Sequence, residues 1–138
     1  EDCRRQRQMC IRDSYITDDA SGFVAREIRR QRAYDGIIMD PPKYGRGPSG
    51  ETWRIEEGLR PLLGQAANLL SSDALFLVLT IYAIRASSVA AHFALLDTLK
   101  DRSGFIETGE LAIEEAALPG RDTRRLISQA NFARWAAY

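Results

Sequence analysis

The sequence predicts an α/β fold, a mostly parallel sheet finished by an antiparallel hairpin, and three observations predict it. Two short apolar runs, Gly36-Ile37-Ile38-Met39 and Ala74 to Ile81, have the length and unbroken hydrophobicity of buried parallel strands. Around them, stretches near residues 20–32, 55–70 and 87–100 repeat apolar residues at helical spacing. The last third holds two strand-like segments, Phe105 to Ile113 and Arg125 to Trp135, with no helical period between them, as a hairpin requires. With a strand ending near residue 19, the order is strand, helix, strand, helix, strand, helix, strand, strand, a doubly wound pattern.

The 138 residues fit one domain, and 45% hydrophobic content suffices for a single core. Formal net charge is zero, whereas nucleic-acid binding draws on a concentrated basic face, so any strong grip on RNA is expected from regions outside this chain. No apolar run reaches the roughly 18 residues that span a bilayer, and no signal-peptide pattern is visible, so a soluble cytoplasmic protein without a membrane partner is expected. Cys3 and Cys10 are the only cysteines and His92 the only histidine. That leaves no material for a disulfide framework, a zinc site or a Ser-His-Asp triad, and no metal is expected.

The chain is organised around Tyr34-Asp35-Gly36-Ile37-Ile38-Met39-Asp40-Pro41-Pro42-Lys43-Tyr44-Gly45. A buried strand whose last residue is an acid sets that acid at the carboxyl edge of the sheet, where open α/β folds bind ligands. Pro41 and Pro42 have no N–H and a fixed φ, so the chain leaves the strand along one stiff path with its carbonyls free to accept. The Asp40 carboxylate and the Asp40 and Pro41 carbonyls can together hold an amino group, and Tyr44 can stack on the flat ring that carries it. The plainer alternative is that the prolines end a core strand and Asp40 caps a turn.

Taken in order, residues 1–14 carry four arginines and no period. Gln6 to Ser14 looks like translated sequencing-adapter read-through, and the segment is expected to add nothing to the fold; a phosphate-touching arm or a disordered end are the alternatives. Tyr15 to Ala20 reads as the end of a strand, with the acid pair Asp18-Asp19 opening an amphipathic helix over about Ala20 to Arg32. Gly45 to Gly50 reads as a lid-like loop without Walker spacing. Near its end, Trp53 either closes over the site or, as an aromatic anchor, fixes the loop to the core.

Apolar positions from Leu59 to Leu70 mark a packing helix from Ile55, in which Pro61 kinks the ladder unless the helix begins at Arg60. Ser87-Ser88 is placed to cap a helix running to about Lys100, with Val89, Phe93, Leu95, Leu96 and Leu99 toward the sheet and His92 at its surface. Arg121, Arg124 and Arg125 form a small basic patch at the hairpin end.

Asp-Pro-Pro-Lys-Tyr-Gly-Arg-Gly, followed by Gly50-Glu51-Thr52-Trp53, resembles the fourth conserved segment of class I S-adenosylmethionine-dependent methyltransferases, in particular the bacterial group that contains 23S rRNA methyltransferases. Asn131-Phe132-Ala133-Arg134-Trp135 is similar to that family's closing strand. The resemblance covers 15–138 and implies a partial Rossmann-like domain, the C-terminal part of a catalytic domain, with S-adenosylmethionine as cofactor. It implies Asp40, Pro41 and Pro42 as catalytic residues and Lys43 and Tyr44 as substrate contacts. It also implies Asp19 as the acceptor for the adenine amino group, with Ala20 as its neighbour and Asp18 as a competing assignment; a helix N-cap is the alternative for this pair. The glycine-rich turn of the family's opening unit is missing, so the chain alone is expected to be inactive.

Carbon 5 of cytosine becomes nucleophilic only after a thiolate adds to the ring. Resembling enzymes carry that cysteine just after the strand corresponding to 74–81, where this chain has Thr80, Ile81, Tyr82 and Ala83. A nitrogen or oxygen acceptor is therefore expected, with an adenine or guanine amino group in RNA, flipped from its stack, as the leading one. The alternative from another class is a methyltransferase-like scaffold subunit without activity. A dinucleotide-binding dehydrogenase lacks its glycine fingerprint here.

Overall fold

The computed structural model describes residues 14–47, 50–82, 86–116 and 125–138. Its first element is helix α1 (Ala20–Arg29). Asp19 is its N-cap, with extended backbone and a carboxylate that accepts from the Gly22 amide at 2.7 Å. The helix stops three residues short of the expected Arg32 because Gln31 takes a left-handed φ of 54°. Arg32 N then donates to Glu27 O and Gln31 N to Ile28 O, the paired bonds of a Schellman ending. Glycine usually holds that position, and without one the sequence gives no stop signal.

The strand expected before α1 is not present: the described residues ahead of Ala20 form none, and Tyr15 is 94% exposed. Its polar groups go to the helix start instead, where Asp18 is paired with Arg26 and also accepts from the Asp19 amide.

Strand β1 (Gly36–Met39) leads to a small hairpin, β2 (Tyr44–Arg46) and β3 (Thr52–Arg54), and then directly to helix α2 (Ile55–Ala67). The start of the stretch expected to be a lid is therefore paired backbone, with Gly45 opposite Trp53 and Arg46 opposite Thr52, and Gly50 supplies a positive φ of 91° in the turn. Residues 48 and 49 of that stretch lie outside the described residues. Helix α2 starts at Ile55, not Arg60, and Pro61 sits inside it on the exposed side. Its end at Ala67 precedes the expected Leu70, but Leu69 and Leu70 are still buried, in the turn that follows.

Strand β4 (Phe76–Ile81), helix α3 (Ser88–Thr98), and strands β5 (Phe105–Glu114) and β6 (Leu126–Ala136) complete the chain. The sheet order is β1-β4-β6-β5: β1 and β4 are parallel, while β6 enters antiparallel between β4 and β5. The closing hairpin is thus present and the class is α/β, with a parallel pair joined to an antiparallel half. Residues 117–124, which contain Arg121 and Arg124 of the expected basic patch, lie outside the described residues, as does Ala83.

Side chains along β4 alternate strictly, with Leu77, Leu79 and Ile81 buried and their neighbours half-covered. By register, Ile37, Met39, Ala133 and Trp135 share the buried face, where they meet Ile55, Leu62, Leu63, Ala66, Ala91 and Leu95 of the helices. Burying an aliphatic side chain of this size contributes about 1.5–3 kcal/mol, so this one layer supplies the main driving force. Double winding would put helices on both faces. Among the described residues they lie on one, and Ile38, pointing the other way, is 71% exposed. Neither strand is therefore buried on both sides as the apolar runs suggested.

Helix α3 also departs from expectation. Leu95, Leu99 and Ala91 face the sheet, but Val89, Phe93 and Leu96 are exposed, because positions 91, 95 and 99 already fill the inward stripe. Ser87 is its N-cap by backbone geometry, without a side-chain cap bond. His92 stands edge-on to Phe93 with ring centroids 5.5 Å apart.

Candidate active site at the carboxyl edge

Asp40 follows the last residue of β1 and is exposed at the carboxyl edge. The parallel register pairs Met39 with Leu79, so Asp40 comes level with Thr80 on the next strand. The Thr80 hydroxyl donates to Asp40 Oδ1 and lies 3.4 Å from the Met39 carbonyl. Asp40 Oδ2 has no hydrogen-bond partner among the described residues and points its acceptor capacity outward.

Pro41 is buried and Pro42 exposed. The Pro42 carbonyl accepts from Trp53 Nε1 at 2.7 Å, and the Lys43 carbonyl accepts from the Ile55 amide at 3.1 Å. The Trp53 ring crosses Gly58 of α2 so closely that a Cβ there would collide with it. Trp53 thus anchors the loop; its indole is turned inward, away from any role as a cover. Of the acceptors proposed from sequence, the Asp40 and Pro41 carbonyls and one carboxylate oxygen remain available.

On the hairpin, the pairs Tyr44–Arg54 and Arg46–Thr52 point outward, while Gly45 and Trp53 point inward. Tyr44 is 48% exposed, and its hydroxyl accepts from Arg46 Nε at 2.9 Å. Lys43, Arg46 and Arg54 are exposed, and none of them is in an ion pair among the described residues. Site and hairpin face are therefore contiguous: acceptors at Asp40 and Pro41, a ring at Tyr44 and cations beside it.

Asp18, Asp19 and Ala20 form a second group. The chain leaves the C-terminal end of α1 into the start of β1, so the helix N-terminus, about 15 Å back along its axis, lies toward the carboxyl edge. No hydrogen bond or ion pair among the described residues joins this group to residues 40–44. Asp19 Oδ2 is used by the cap, which leaves Oδ1 as an open acceptor, and the Ala20 amide is one of the helix's unpaired donors. An acceptor next to a donor matches the amino group and ring nitrogen on one edge of adenine. The cap role and the adenine role are compatible, because they use different atoms. Asp18, tied to Arg26, is less free.

From the sequence Thr80 was named among the residues that stand where resembling enzymes carry a cysteine, without a partner, and the Trp53–Pro42 bond was missed. A threonine level with the acid on an adjacent parallel strand was the only signal for the first.

Over 87% of its length the chain is 42% identical to a SAM-dependent methyltransferase from Agrobacterium tumefaciens, with a TM-score of 0.80, and it spans 38% of that protein. A structure described as a methyltransferase complexed with SAH matches 88% of the chain and 30% of its own length at 16% identity and a TM-score of 0.55. A precorrin 8w decarboxylase from Methanobacterium thermoautotrophicum matches 91% of the chain and 54% of its own length at 13% identity and a TM-score of 0.51. The last two show likeness of fold alone. No protein-family model and no curated protein matches the chain. The fold is accordingly the Rossmann-like α/β fold of methyltransferases. No described helix is long and apolar enough to cross a membrane.

Proposed function

We propose that this chain is the C-terminal part of the catalytic domain of a class I S-adenosylmethionine-dependent methyltransferase acting on a base nitrogen in RNA, ribosomal RNA being the leading substrate and the cytoplasm its compartment. The observation that carries this reading is Asp40, exposed at the carboxyl edge and held there by Thr80 through Oδ1, with Oδ2 left without a partner among the described residues. The likeness to the Agrobacterium methyltransferase supports the reaction class.

The cofactor, when bound, supplies an electrophilic methyl group on a sulfonium. The chain's own residues do the rest. Asp19 Oδ1 and the Ala20 amide would hold the adenine. The Asp40 carboxylate and Pro41 carbonyl accept the two hydrogens of an exocyclic amine, which turns the nitrogen lone pair toward the methyl group; positioning of this kind supplies much of the rate. As the amine nitrogen gains the methyl carbon and the carbon–sulfur bond breaks to leave a neutral thioether, Asp40 would stabilise the positive charge on nitrogen, and the surplus proton would leave through it or to water. Tyr44 would offer its face to the base, and Lys43, Arg46 and Arg54, exposed beside it, would meet the flanking phosphates. No cysteine occurs among the described residues, which favours nitrogen over carbon 5 of cytosine.

The test is transfer of a labelled methyl group by the full-length protein to RNA, followed by nucleoside analysis. Label in an N-methylated purine is expected. Label in 5-methylcytidine, or in protein only, would overturn the assignment, and no cofactor binding at all would favour a scaffold subunit.

A further inference from the structure

Beyond the residues that would touch the acceptor, two others hold it from opposite sides. We propose that Thr80 and Trp53 are positioning residues that preset the Asp40-Pro41-Pro42 acceptor before substrate arrives; this rests on the functional reading above.

The argument starts from what the loop has without them. Pro41 and Pro42 restrict φ but cannot donate, so neither residue can anchor itself to the scaffold through its own N–H. The carboxylate of Asp40 is exposed and would otherwise sample several rotamers, each rotation moving its oxygens by more than an ångström. The Thr80 hydroxyl removes that freedom at one end by donating to Oδ1. Thr80 is half-buried on β4, a strand paired on both sides, so its own position is fixed by the sheet. At the other end, Trp53 Nε1 donates to the Pro42 carbonyl at 2.7 Å, and its ring is wedged on Gly58. The two donors come from different elements, β4 and β3, and grip the two ends of a three-residue segment.

The grip also selects among acceptors. Thr80 occupies Oδ1 and Trp53 occupies the Pro42 carbonyl, so an incoming amine meets only Oδ2 and the Asp40 and Pro41 carbonyls. Two of these three, Oδ2 and the Pro41 carbonyl, suit a primary amino group, with two hydrogens to place. A secondary amine or a hydroxyl has one. The arrangement therefore favours the first methylation of an exocyclic amine and disfavours a second on the same nitrogen.

The experiment uses single-turnover transfer by the full-length protein, with cofactor affinity and melting temperature measured alongside. Thr80→Val keeps the shape and removes the donor; we expect the transfer rate to fall about tenfold or more while cofactor affinity and acceptor KM stay within about twofold, since a displacement near 1 Å can cost up to about a hundredfold. Thr80→Ser restores the donor and should recover most of the rate. Trp53→Phe should lower the rate similarly and raise the share of dimethylated product. In an Asp40→Ala background, Thr80→Val should have no further effect. A Thr80→Val enzyme with wild-type rate, while Asp40→Ala is inactive, would overturn the positioning roles and leave the active site standing. A fully active Asp40→Ala enzyme would overturn the active-site assignment itself. Should Thr80→Val fail to fold, Thr80→Ser with an unrecovered rate would also sink the proposal.

Discussion

The Tyr34 hydroxyl donates to Glu27 Oε2 at 2.5 Å, across the turn that joins α1 to β1, while Arg30 donates to Oε1 at 3.1 Å. Glu27 is the only buried charged side chain among the described residues, and both its oxygens are satisfied. The hydrogen bond from Tyr34, with Arg30 adding to it, holds the Glu27 carboxyl below its usual range against the opposing effect of burial. The same bond, with burial, pushes the Tyr34 phenol up. Stability from Glu27 is present above the ordinary carboxylate value and is lost as pH falls through its lowered one. Stability from Tyr34 is present below the ordinary phenol value and is lost as pH rises through its raised one. Tyr34→Phe should lower the melting temperature by several degrees at neutral pH, and the deficit should shrink in acid as Glu27 protonates. Melting curves from acid to neutral pH decide it, and a deficit independent of pH would argue against the pair.

Two glycines in α2 should respond in opposite ways to alanine. Nothing lies within 4 Å of a Cβ built on Gly64, so Gly64→Ala should stabilise by about 0.5–1 kcal/mol through helix propensity and a less flexible unfolded chain. At Gly58 the added carbon meets the Trp53 ring, and Gly58→Ala should destabilise instead, by about 1–3 kcal/mol as overpacking does. Denaturant titration of both variants checks the contrast.

Asp19→Ala removes a cap and should cost about 1 kcal/mol, whereas Asp19→Asn keeps the cap and should cost little. If Asp19 also accepts from adenine, both variants of the full-length protein should bind S-adenosylmethionine more weakly. Calorimetry separates the roles: stability follows the cap, and affinity follows the charge.

For the active site, Asp40→Ala in the full-length protein should cut methyl transfer at least about a hundredfold with cofactor affinity nearly intact, because the lost interaction is aimed at the acceptor. On the proposed reading, in which the methionine and ribose ends of the cofactor are held by parts of the domain outside this chain, the present chain should bind the cofactor barely or not at all. Micromolar binding by this chain would show that the site has been misplaced.

How much could be read from the sequence depended on whether a feature left a local trace. The strand before Asp40, the core strand over 76–81 and the closing hairpin each carry a continuous run of the right length, and all are present. The end of α1 was missed because Gln31 does a glycine's work. Turn formers between Gly45 and Gly50 suggested a loose loop, yet a two-stranded turn uses the same residues, and only the pairing of Tyr44 with Arg54 distinguishes them. The orientation of α3 was ambiguous because it is apolar on several sides; the choice of Leu95 over Phe93 as the inward residue is made by Trp135 and Ala133, some forty residues away. At the site, Asp40 and its prolines were legible as a motif. Their fastening was not, since Thr80 is separated from Asp40 by a two-stranded hairpin and an entire helix.

Strand β1 lies at the end of the sheet order, with β4 on one side and no strand on the other among the described residues. Its outward backbone groups, together with the exposed Ile38, make a template to which another extended segment can add. Nothing long-range opposes that approach, because the chain's positive and negative charges cancel and give neighbouring molecules no net repulsion. Among the described residues the sheet thus ends in two open borders, the four residues of β1 and the ten of β5, and acidic residues added elsewhere on the surface would keep the protein in solution without touching its fold or its chemistry.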